Sequence, residues 1–258
     1  MIVRPLEPMP RATDDFLPAW QAVMQIQKQQ YRECWMITQP SHAALAGAIA
    51  ARLRGPQVPR LEPELLQAIS LHDAGWGMPD AQAVMRSRSA ASDRPKSFLE
   101  MSVSEFLAAW KQSIEIAQAG SFSGGYMVSR HFWRLAMHWL KMSNGVEADC
   151  SRMQSFVDDE SRRQRTLAQE QDRRMEELEA LTDLLQFCDL FSLYICSGAL
   201  ANAEFPEYFG MKARLTVEGG DYRLEPALAE SGPPFKIAAL RHPCTKETSG
   251  REIEIRIA

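Results

Sequence analysis

The sequence predicts an α+β fold: a mainly helical core, with a small antiparallel sheet formed by N-terminal and C-terminal strands. Three patterns predict it. Apolar residues recur at helical spacing through the middle of the chain. Short β-branched and aromatic stretches stand near its beginning, and apolar and charged residues alternate near its end.

Met1 to Leu6 (M-I-V-R-P-L) and Tyr31 to Thr38 (Y-R-E-C-W-M-I-T) have the composition of strands. Between them, Glu7 to Gln30 reads as a Pro-rich loop followed by a short helix from Phe16, inserted between two strands of one sheet. Ser41 precedes the Ala-rich stretch His42 to Leu53 and is the expected N-terminal signal of a helix that the Gly55-Pro56 break ends. Pro63 opens the next helix, where Leu66, Ile69 and His72 follow at i, i+3 steps and so share the inward face. Gly75 to Phe98 holds Gly and Pro breaks and a basic, Ser-rich run, and reads as mostly loop. Helical spacing resumes at Val103 to Gln118 and at Tyr126 to Met142, the second introduced by S-F-S-G-G-Y at Ser121 to Tyr126. A long helical region then covers Cys150 to Ala201, charged from Asp158 to Glu179 and apolar beyond. From Lys212 the period becomes two, with Ala213, Leu215 and Val217 followed by a Gly219-Gly220 hairpin turn and Asp221 to Leu224. Phe235 to Leu240 and Glu252 to Ile257 are further strands. Because open strand edges need partners, the terminal strands are expected to share one sheet. The expected organisation is one domain over residues 1–258, with N-terminal strands in 1–40, helices in 41–205 and C-terminal strands in 206–258.

The 29 basic and 33 acidic residues leave a net charge of -4, which gives no broad positive footprint for a nucleic acid polymer. Five scattered cysteines without a C-x-x-C pair read as reduced thiols. Arg4 and the nearby prolines interrupt any export signal at Met1 to Pro10. Leu184 to Leu200, broken by Gln186 and Asp189, falls short of the roughly 20 clean apolar residues of a bilayer span. A cytoplasmic protein with no membrane partner is expected.

Asp189 stands inside L-L-Q-F-C-D-L-F-S-L-Y-I-C, where a carboxylate must be paired, hydrogen-bonded or bound to a cation. His72-Asp73 stands at the end of an apolar helix, from which an imidazole and a carboxylate can reach one cation. With helical His42 upstream, the set is H…HD…D. In that order the chain resembles the HD-domain superfamily from about His42 to Leu200. I-T-Q-P-S-H-A-A-L-A-G, H-D-A-G-W, V-S-R-H and L-L-Q-F-C-D-L-F-S-L-Y also resemble an uncharacterised bacterial branch, the domain of unknown function numbered 3891.

The resemblance implies an HD-like helical core with His42, His72, Asp73 and Asp189 as ligands of a divalent transition metal: Mn, Fe, Co, Ni or Zn. It implies hydrolysis of a small phosphorylated, possibly nucleotide, substrate, with Asp73 both ligand and partner of the nucleophilic water. The alternatives are a di-iron oxygenase of HD type, which needs a second set of ligands, and a non-catalytic metal- or ligand-binding module. His131, in V-S-R-H, is a candidate ligand of a second metal or a substrate-orienting residue; equally it reads as a core histidine bonded to a carbonyl. Arg130 beside it is a candidate anion contact, as are Arg134, Arg94 and Lys96. His138, two turns or about 10 Å from His131 along a helix, reads as a core residue. Trp76 reads as packing, and His242 as structural or exposed. A homo-oligomer is left open.

Overall fold

The computed structural model, which describes residues 1–7, 15–89, 94–143, 145–244 and 250–257, joins the two ends of the chain in one sheet. Strand β1 (Ile2–Pro5) runs antiparallel to β3 (Cys34–Ile37), with Ile2 opposite Ile37. On its other edge β3 pairs with β7 (Phe235–His242), which pairs with β8 (Gly250–Ile255), again antiparallel. The period-two pattern sends Phe235, Ile237 and Ala239 into the core.

The C-terminal hairpin departs from the one-sheet expectation. Strands β5 (Arg214–Glu218) and β6 (Asp221–Glu225), joined by Gly219-Gly220, belong to a second sheet of order β2-β4-β5-β6. Its remaining members are β2 (Leu17–Pro18) and β4 (Ala203–Glu204), which pair in parallel. Two-residue strands carry no period, so the sequence pattern is blind to them.

Helix α1 (Ala19–Gln27) fills the connection between β2 and β3. Its buried Gln27 accepts from Val3 N at 3.1 Å and donates to Val3 O at 2.7 Å, so it holds β1 in place. Helix α2 (Gln39–Ala50) starts earlier than expected: Thr38, rather than Ser41, is the N-cap, its Oγ1 accepting from Ser41 N at 3.2 Å. Helix α3 (Pro63–Ser70) crosses α2 closely, because a Cβ on Gly47 would lie 1.9 Å from Ser70 Oγ.

The chain leaves α3 through Leu71–Asp73 and a 3₁₀ turn at Ala74–Trp76, then forms α4 (Gly77–Ser89). Most of this stretch was expected to be loop. It is helical because tertiary contacts override its weak local preference: Asp80 Oδ2 accepts from Gln39 N at 2.6 Å, and Ala83 and Val84 pack below the first sheet with Met1, Val3 and Met36. Residues 90–93 of the basic run, and 8–14 of the N-terminal loop, lie outside the described residues.

Capping boxes of the Ser-x-x-Glu kind open a 3₁₀ turn at Phe98–Glu100 and α5 (Val103–Gly120), while Ser121 caps α6 (Phe122–Met142). The expected long helical region is two helices, α7 (Glu147–Gln169) and α8 (Met175–Ser197), with Gly198 ending the second at φ 72°. By length and composition α8 is apolar enough to cross a membrane, yet 67% of its most apolar window is buried inside the fold. It packs on α1, α2 and α6. One apolar cluster takes in Ile2, Ile37, Ile49, Phe132 and Phe191 together with Leu215, Leu224 and Ile237, so the C-terminal strands share the helical core.

Candidate metal centre

Three segments deliver the H…HD…D residues to one place. His42 projects from the first turns of α2, His72 and Asp73 from the turn after α3, and Asp189 from the middle of α8. One ligand atom from each of the four lies within 4.8 Å of all the others. His42 Nε2 is 3.1 Å from Asp73 Oδ2 and 3.4 Å from Asp189 Oδ1. His72 Nε2 is 3.2 Å from Asp189 Oδ1 and 3.8 Å from Asp73 Oδ2. The histidine side chains are 1% and 0% exposed against 9% for Asp73 and 17% for Asp189, so the centre opens on its carboxylate side.

The second nitrogen of each imidazole fixes its tautomer. His72 Nδ1 lies 2.8 Å from the carbonyl of Ile69, which only accepts, so Nδ1 carries the proton. Ser192 spends its one hydroxyl hydrogen on the carbonyl of Asp189 at 2.9 Å and must therefore accept from His42 Nδ1 at 2.7 Å. In both neutral rings Nε2 is left as a bare lone pair aimed at carboxylate oxygens. Acceptor then faces acceptor in a buried site, an arrangement that needs a proton or a cation between them. In the protein alone the proton does this. Burial on its own would lower His72, but the charges of Asp73 and Asp189 and the Asp189 hydrogen bond outweigh it and push it up to about 9. Burial would likewise raise Asp189, yet its bond to His72 and the neighbouring imidazoles hold it well below the usual carboxylate range. Two oriented imidazoles and two carboxylates are an N/O donor set that suits a divalent transition metal. The residues fit such an ion.

His131, on α6, borders this set. Its Nε2 is 3.8 Å from Asp189 Oδ2 and its ring centroid 5.7 Å from that of His72. The expected carbonyl partner is missing: Nδ1 is buried with no hydrogen-bond partner among the described residues. Burial lowers His131 to about 4, against the opposing pull of Asp189, so the ring is neutral.

The basic candidates sit elsewhere. Arg130 Nε pairs with Glu179 at 2.9 Å and its guanidinium lies over Trp133. Arg134 is bound to Glu179 and Asp183 at 2.6 and 2.7 Å. Arg94 is held by Glu100 and, with Lys96, lines a separate cleft of about 750 Å³ beside α4. His138 is exposed rather than in the core: it shares nearly the same helix face as His131 but lies two turns further along, where that face is no longer covered. His242 is buried, with Nδ1 2.6 Å from Ser87 Oγ. Trp76 packs edge-on against Phe106 and is 1% exposed. Sequence reasoning missed Ser192, whose signal was its place three residues after Asp189, on the same helix face.

Fold and site together define an α+β protein whose helical core encloses a His2Asp2 cluster able to hold a metal ion. The family model described as "Protein of unknown function (DUF3891)" matches residues 24–227, and the chain belongs to that family. No curated protein and no solved structure matches it significantly.

Proposed function

We propose that the chain is a metal-dependent hydrolase of the HD type acting on a small phosphoester. One observation carries this reading: the Ile69 carbonyl and Ser192 orient both imidazoles so that their free lone pairs meet two carboxylates at one point. A structural salt bridge does not need two histidines with their second nitrogens fixed in this way. His42, His72, Asp73 and Asp189 would hold the ion. When bound, such an ion supplies Lewis-acid polarisation and makes water in the site more acidic.

The chain's own residues do the rest. Both histidine contacts of Asp73 use Oδ2, which leaves Oδ1 to accept a proton from the attacking water. The buried imidazoles exclude solvent from the closed side, and the more exposed Asp189 faces the side where substrate enters. Neutral His131, whose Nε2 lies 3.8 Å from Asp189 Oδ2, supplies a further nitrogen for orienting substrate or a second ion.

Elemental analysis of protein purified without chelator, joined to a screen of generic phosphoesters with added Mn²⁺, Ni²⁺ or Co²⁺, tests the reading. Bound metal and turnover lost in Asp73→Asn are expected. Metal without turnover would point to a binding module or an oxygenase, and failure to bind any of these metals would overturn the site itself.

A further inference from the structure

Three of the four candidate ligands have an anchor of their own. Ser192 holds the His42 ring, the Ile69 carbonyl holds the His72 ring, and Asp189 is fixed within α8. Asp73 differs. Among the described residues its carboxylate hydrogen-bonds only with His42, itself a candidate ligand. Its backbone, at φ -111° and ψ 21°, lies between α3 and the 3₁₀ turn and close to the sparsely allowed bridge region. The place of Asp73 therefore depends on what holds the turn around it.

Helix α5 holds it. The 3₁₀ turn that follows Asp73 closes with Trp76 N donating to the Asp73 carbonyl at 3.1 Å. Inside that turn, Gly75 N donates to Ser113 Oγ on α5 at 2.9 Å. Ser113 is 0% exposed, so loss of its hydroxyl would leave a buried N–H without an acceptor.

The bond forms because the turn lies flat on the backbone of α5. A Cβ on residue 75 would stand 2.0 Å from the Ala109 carbonyl oxygen and 2.9 Å from Ser113 N. Only glycine allows that approach, which gives Gly75 of the H-D-A-G-W phrase a physical reason. Trp76 wedges the far end of the same turn. It is 1% exposed and meets Phe106 edge-on at 5.1 Å, which in turn meets Trp110 edge-on at 5.5 Å, both on α5.

We propose that Ser113 is a positioning residue of the candidate metal centre: its hydroxyl, through Gly75 N, fixes the turn that presents Asp73 to the cation. Ser113 is not one of the four ligands and acts through the backbone. The inference rests on the metal reading of the centre and is independent of the reaction proposed for it.

The test compares wild type with Ser113→Ala, which removes the acceptor, and Ser113→Cys, which keeps nearly the same size with a weaker acceptor. Calorimetry gives the Mn²⁺ Kd, visible absorption of bound Co²⁺ reports its coordination, and thermal unfolding is followed with and without Mn²⁺. Expected in Ser113→Ala are a Mn²⁺ Kd raised about tenfold, the lower end of what loss of an outer partner costs, an altered Co²⁺ absorption and a smaller rise in Tm on adding Mn²⁺. Ser113→Cys should fall between the two, and if Ser113→Ala does not fold, Ser113→Cys against wild type decides by the same readouts. A serine that serves only the fold would lower Tm equally with and without Mn²⁺. That result, with Kd and Co²⁺ absorption unchanged, would overturn the Ser113 assignment and leave the metal centre standing. Wild type that binds neither Mn²⁺ nor Co²⁺ would overturn the centre itself, and this inference with it.

Discussion

Helix α6 contributes to two buried polar clusters that solve the same problem in opposite ways. In the first, between α6 and α7, Gln164 donates to Ser129 at 3.0 Å, Ser129 donates to Glu160 at 2.9 Å, and Arg163 pairs with Glu160 at 3.0 Å. Arg163 also reaches Gln118 at 2.7 Å. None of these side chains is among the described residues with a buried, unpartnered polar atom. In the second, beside His131, the imidazoles of His42 and His72 turn bare nitrogens toward Asp73 and Asp189, and the excess of acceptors is relieved only by something brought in from outside. A self-satisfied cluster holds helices together, whereas one in which imidazole nitrogens face carboxylates needs a proton or a cation between them.

The largest expected effect that sharpens this contrast is that of Ser192→Ala. The substitution frees the His42 ring without touching a ligand atom, and loss of such an outer partner should weaken metal binding about 10- to 100-fold by calorimetry. Unchanged affinity would mean that the orientation of His42 is incidental.

The next effect is one of pH. Metal must displace the proton that His72 holds up to about pH 9, so Mn²⁺ affinity should rise with pH by at most about tenfold per unit and level off near that value. The same raised pKa gives the metal-free protein stability that is present below the ordinary value of 6.5 and lost as pH climbs toward about 9. Denaturant unfolding across that range checks the sign, and a metal-free stability that rises with pH would contradict it.

The smallest effect belongs to the closed cluster. Burial holds the Glu160 carboxyl above its usual pKa, Arg163 opposing, and Arg163 is partly exposed. Glu160→Gln should therefore cost only about 1 kcal/mol, and the same with or without Mn²⁺. A loss that depends on metal would merge the two clusters.

Much of the candidate site was legible in the sequence because its signals were local. Asp189 interrupts an apolar helix, and His72 falls on the inward face that Leu66 and Ile69 define. The Gly219-Gly220 hairpin and the alternation of β7 were legible for the same reason. What stayed hidden depends on residues distant in sequence. Helix α4 forms under the first sheet against Asp80's bond to α2, the second sheet is completed by strands of two residues, and Arg130 looks free until Glu179 comes round on α8.

The central claim is that Asp189 serves a cation rather than a structural salt bridge, and thermal unfolding of wild type and Asp189→Asn, each with and without Mn²⁺, tests it most directly. At about pH 9 and above, where His72 has given up its proton, the amide of the variant can donate to its Nε2, so there the metal-free proteins should differ little. Mn²⁺ at about a hundred times its Kd should stabilise wild type by about 2.7 kcal/mol, a rise in Tm of about 5–10 °C for a chain of this size, and leave Asp189→Asn almost unmoved. A metal-free variant destabilised by about 3–5 kcal/mol, as when a buried ion pair loses one partner, together with a wild type indifferent to metal, would contradict the claim.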